Sequence, residues 1–121
     1  MKYTDSISGL FVQFPELKTI YETEGDYIEG LPHLCYSIVF VPFVIQACLI
    51  GDDDKIKEIC SFMEGMANSD YDDERVSELL VVSVLESILS EREIIRSLKR
   101  YLGISTLKLL SILENETGWD Q

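Results

Sequence analysis

Cationic residues are scarce in this chain: ten lysines and arginines face 22 aspartates and glutamates, for a formal charge of −12. A surface this acidic repels phosphate backbones and anionic lipid headgroups within a Debye length, which argues against direct binding to nucleic acid or membrane. Histidine is scarcer still. His33 is the sole one, so a Ser–His or Cys–His nucleophile pair would have to use it, and neither a nucleophile elbow nor an orienting partner surrounds it in sequence. Its place directly after Pro32 reads as a helix start or a packing role. A Gly-rich phosphate loop, a dinucleotide fingerprint and a zinc-protease helix motif are all missing. Cys35, Cys48 and Cys60 are odd in number and lie 13 and 12 residues apart in apolar sequence, which suits neither a disulfide framework nor a zinc site. Buried free thiols in a reducing compartment fit best. No basic, apolar, small-residue leader opens the chain, so the expected location is the cytoplasm. Without a Gly/Ser-rich or Pro-rich linker, residues 1–121 read as a single domain.

What the chain does have is enough apolar sequence to fold. Hydrophobic residues make up 46% of it, far from the composition of disordered chains. Their spacing predicts about six helices. Pro15 suits the first turn of a helix running to about Glu22, and an acidic loop follows between Gly25 and Gly30. From Leu31 to Ile50 there is no Lys, Arg, Asp or Glu. That length could cross a bilayer, but its flanks are acidic rather than basic, and a buried central helix is the favoured reading. Tyr36 to Val41 could also read as a buried strand, although Pro42 would sit badly there. Gly51 stops this helix, and one of Asp52, Asp53 and Asp54 can cap the next. There Ile56, Ile59, Cys60, Met63 and Ala67 form a half-buried stripe.

A polar loop over 68–73 precedes a helix to about Leu89 that is apolar nearly all round its middle, through Val81, Val82 and Leu85. Ser90 with Glu93 is a capping-box pattern for a helix ending at Gly103. Ser105 is the expected cap of a last helix, from Thr106 to about Glu116, closed by Gly118. Short loops imply antiparallel hairpins. The fold class is therefore all-α, a helical bundle or a short repeat-like stack pairing 33–50 with 53–67 and 74–89 with 91–102.

The acidity is uneven. Residues 52 to 86 hold eleven acids against Lys55, Lys57 and Arg75, whereas residues 91–108 carry Arg92, Arg96, Lys99, Arg100 and Lys108 against Glu91 and Glu93. Asn68, Asp70 and Asp72 resemble the start of a calcium loop, but the glycine and the twelfth-position glutamate that such a loop needs are replaced by Asp73 and Leu79. A helix-capping acidic loop is the better reading, and no metal, cofactor or catalytic residue is assigned. Glu64, Glu78 and Glu86 are the carboxylates that acid–base chemistry could use; acids on a helix face are mostly solvated. Basic Arg92, Arg96 and Lys99 or Arg100 share one side of their helix and read as a solvated face countering acidic neighbours. An acidic surface steers a basic protein. The expected contacts are Asp52, Asp53, Asp54, Asp70, Tyr71, Asp72, Asp73, Glu74 and Glu78, with Tyr71 the candidate anchor.

Across Gly30 to Ile88, the marks Leu31-Pro32-His33, Gly51-Asp52, Phe62-Met63-Glu64 and Val84-Leu85-Glu86 resemble those of small helical immunity proteins of bacterial polymorphic-toxin and contact-dependent inhibition systems. That resemblance implies a cytoplasmic protein, not an enzyme, that binds the C-terminal domain of a cognate toxin, often a nuclease, and occludes it stoichiometrically. It specifies no contact residues. The alternative is an acidic helical adaptor or regulatory domain with another basic partner.

Overall fold

The computed structural model describes residues 1–24 and 30–119, except the side chains of Glu24, Asp70 and Tyr71. Seven helices and no strand occur among the described residues. They are α1 (Ser6–Gln13), α2 (Leu17–Glu24), α3 (Pro32–Ile50), α4 (Asp53–Ala67), α5 (74–88), α6 (Arg92–Lys99) and α7 (Ile104–Thr117). Short 3₁₀ turns at Tyr3–Asp5 and Asn68–Tyr71 precede α1 and follow α4. About six were expected, and the helix that reading left out is α1: its N-cap residue Asp5 makes no side-chain bond, and tertiary packing holds it. Leu10 and Phe14 are fully buried, and the buried Tyr36 hydroxyl donates to the Ser6 carbonyl at 2.8 Å. Phe14 packs edge-on against Phe43 and Phe62, with ring centroids 5.3 and 5.5 Å away, and so ties α1 to α3 and α4.

The α3–α4 hairpin forms for the local reasons expected. Gly51 takes the left-handed conformation, φ 70°, which costs glycine little. The Asp52 carboxylate accepts from the Lys55 amide at 3.1 Å and caps α4. The Ile56, Ile59, Cys60, Met63 and Ala67 stripe is buried. At α5, Asp73 caps by accepting from the Arg75 amide. The acidic loop expected from Gly25 lies, apart from Gly30, outside the described residues.

Tyr36–Val41 is helical, not a strand. Tyr36–Phe40 in α3 and Leu80–Leu85 in α5 are wide, π-type turns, and these two stretches pack against each other at the centre of the molecule. Wide turns of this kind hold more residues per turn than an α-helix. Residues four apart drift by about 40° per step on an ordinary helix, as over Glu74–Leu79, and a wider turn, as over Leu80–Leu85, turns them back. This keeps Glu74, Glu78, Val82 and Glu86 along one exposed edge of α5.

Two capping expectations are corrected. α6 begins at Arg92 after Glu91, with no side-chain cap, so the Ser90–Glu93 box does not form, and the helix ends at Lys99. α7 is not capped by Ser105: Gly103 is its cap residue and has no side chain to offer. Glu64 of α4 takes over that role. Its carboxylate accepts from the Ser105 amide at 3.0 Å, the Thr106 amide at 2.9 Å and the Thr106 hydroxyl at 2.8 Å.

Candidate partner-binding surface

The acids expected to form one docking face are split by α4. Asp52, Asp53 and Asp54 sit at its first turn, and Asp72 to Glu78 follow its last. A 15-residue helix separates them by about 22 Å. Several are also committed to the fold. Asp52 caps α4, and Asp53 bonds Arg100 at 3.0 Å. Asp72 faces the amine of Met1 at 3.7 Å. Asp73 accepts from Arg75 Nε and Nη2 at 2.9 and 2.8 Å and from the Tyr3 amide at 2.9 Å. Those bonds, Arg75's first, hold the Asp73 carboxyl well below the usual range. The side chains of Asp70 and Tyr71 lie outside the described residues.

Glu74 and Glu78 are different. Both are exposed, as are Asp54 and Glu86, and no cation lies within ion-pair distance of them among the described residues. Glu74 and Glu78 line an open groove of about 630 Å³ together with Ser77 and Val81. Val82, 44% exposed, stands between Glu78 and Glu86 on the same edge. The result is an acidic ridge with an apolar centre, the composition of a partner-binding patch with a polar rim. Glu86, the last acid of the 52–86 cluster, belongs to it as well, although it was not among the expected contacts.

The basic side is largely consumed inside the molecule. Arg92 and Lys99 both pair with Glu114, which is only 4% exposed. Burial would raise the Glu114 carboxyl, but bonds from Arg92 and Lys99 outweigh it and lower its pKa. Glu64 behaves alike: burial pushes it up, and the bonds from Thr106 and Ser105 bring it below the ordinary value. Among the described residues Arg96 makes no hydrogen bond or ion pair, so only part of this stripe is a free solvated face.

His33 Nδ1 lies 2.6 Å from the hydroxyl of Ser83, the arrangement of a base beside a nucleophile. Ser83 is 3% exposed and sits within the wide turn of α5, however, and the His33 ring neighbours Tyr3 at 6.2 Å rather than a carboxylate. The contact bolts α3 to α5, the packing role expected from Pro32-His33. The three thiols are free. Cys35 and Cys60 are buried, and burial pushes them up to about 11 and about 12, while Cys48 is half-buried. Among the described residues, no group of three or more His, Cys, Asp or Glu is placed to hold a metal ion.

No curated protein and no solved structure matches the chain. A family model described as Domain of unknown function (DUF7674) matches residues 7–118, nearly the whole chain, and the chain belongs to that family.

Proposed function

We propose that this domain is a binding protein that docks a basic protein partner along the exposed edge of α5. We further propose that the partner is a toxin domain, which the chain neutralises by stoichiometric occlusion in the manner of a bacterial immunity protein. One observation carries the docking surface: Glu74, Glu78 and Glu86 are exposed along one helix, with no cation within ion-pair distance among the described residues, and exposed Val82 lies between Glu78 and Glu86. Elsewhere the carboxylates Glu64, Asp73 and Glu114 are saturated by internal donors, so they have little left to offer a partner. A nuclease must present cations to hold phosphates, and an acidic ridge can cover that surface. The toxin assignment rests on the resemblance of the Gly30–Ile88 stretch; the acidic ridge by itself asks only for a basic partner.

The test is co-expression with a basic reading frame adjacent to the gene. Rescue of growth and a 1:1 complex are expected, and Glu74→Lys/Glu78→Lys/Glu86→Lys should abolish both while leaving the fold intact. A partner that still kills and forms no complex contradicts the toxin reading. A complex indifferent to the triple substitution contradicts the docking surface.

A further inference from the structure

The outer side of α3 is the largest unexplained feature of the molecule. α3 contains no charged residue; its most apolar 18 residues have a mean hydropathy of 2.0, and only 39% of them are buried. It was expected to be a buried central helix, and only its inner side is. The buried side carries Cys35, Tyr36, Val39, Phe40, Val44 and Ala47. On the other side Leu31, Leu34, Leu49 and Ile50 are 47, 39, 66 and 65% exposed. Ile38 and Ile45 are half-buried between them, and Pro42 is exposed. The steps from 31 to 34, 38, 42, 45 and 49 are threes and fours, the spacing of a seam that packs against another helix.

We propose that this seam is where two copies of the chain meet, with α3 packed antiparallel against its twofold mate. Charge selects the occupant. A basic partner gains nothing from a face without carboxylates, and a bilayer span lacks basic anchors at the α3–α4 corner, where the flank is Asp52, Asp53 and Asp54. For a second −12 chain, the uncharged seam is the side that brings no like charges face to face.

A twofold centred near Pro42 sets Leu34 against Leu49 and Ile38 against Ile45. Such contacts are isologous, as a closed dimer requires.

A 19-residue helix about 28 Å long and 10 Å wide offers on the order of 300 Å² per copy. Stable complexes bury about 800 Å² per partner, so this dimer is weak and is to be sought at high concentration. Salt separates it from the docking on α5. Screening relieves repulsion between two acidic chains, so salt strengthens the dimer, whereas a complex with a basic partner weakens.

Sedimentation equilibrium of the intact chain, from 10 µM to 1 mM in 50 and 500 mM NaCl, reads this directly. The expected result is a mass rising from 13.8 kDa toward twice that value, at lower concentration in the higher salt. Leu34→Glu/Leu49→Glu should stay monomeric with unchanged helicity, while Val12→Glu, at the 82% exposed position of α1, should dimerise as the parent does. A monomer under every condition overturns the proposal. So does a dimer that survives Leu34→Glu/Leu49→Glu, or flotation of the chain with phosphatidylcholine–phosphatidylglycerol vesicles. None of these results bears on docking along α5.

Discussion

Gly103→Ala is expected to destabilise the protein only because Glu64 is there. The backbone of Gly103 is extended, φ −74° and ψ 168°, which alanine adopts without strain. A methyl group at this position would nevertheless lie 2.3 Å from Glu64 Cδ and 2.5 Å from its Oε1. The glutamate would have to swing away and give up its three bonds to Ser105 and Thr106. Losing a helix cap costs about 0.5–2 kcal/mol, and hydrogen bonds to a charged group contribute about 1.5–3 kcal/mol each without adding fully, so about 2 kcal/mol is expected. Glu64→Ala should cost about the same, since it removes the same bonds. In the Glu64→Ala background the clash is gone. The reduced freedom of the unfolded chain then favours alanine by about 0.4–1 kcal/mol, roughly offset by alanine's poorer capping, and Gly103→Ala should be near neutral. Urea unfolding followed at 222 nm, with an unchanged m-value, reads the cycle. An equal cost for Gly103→Ala in both backgrounds would refute the reasoning.

Glu114→Gln should cost about 2–3 kcal/mol, somewhat below the usual penalty for stripping one member of a buried pair because Lys99 can turn to water, whereas exposed Glu116→Gln should leave the melting temperature unchanged; thermal melts compare the two. Acid should destabilise the fold through Glu64 and Glu114. Both have folded pKa values below the ordinary 4.5, so their contribution is complete above pH 4.5 and is lost as pH falls through the folded values. A stability–pH curve for Glu64→Ala should accordingly show a shallower acid limb, and an unchanged limb would contradict this. In the native protein at pH 8 a thiol reagent should modify Cys48 first, with Cys35 and Cys60 reacting only on unfolding, since both are buried and hold their protons more tightly. Simultaneous modification of all three would contradict the packing.

Local signals made the middle of the chain legible. Gly51 and Asp52 define the α3–α4 corner, and Asp73 the start of α5, because each acts on backbone groups within a few residues. Features set by distant partners were not legible. Glu64 caps a helix 42 residues away, so nearby Ser105 drew the assignment instead. α1 depends on Phe14 and Tyr36 reaching neighbours brought close only by folding. The expected contacts mixed acids that capping and ion pairs occupy, such as Asp52, Asp53 and Asp73, with the open pair Glu74 and Glu78, because a carboxylate's partner on a distant element, like Arg100 for Asp53, leaves no mark in the local sequence. Nor could an uncharged run reveal that α3 buries one side only.

The proposal that the edge of α5 docks a basic protein is tested most directly by titrating the chain calorimetrically with the purified product of the adjacent basic reading frame, at 50 and 300 mM NaCl. A 1:1 complex that weakens with salt, and is lost in Glu74→Lys/Glu78→Lys/Glu86→Lys, is the expected result. No heat of binding, or a complex of equal strength with the triple variant, would contradict it.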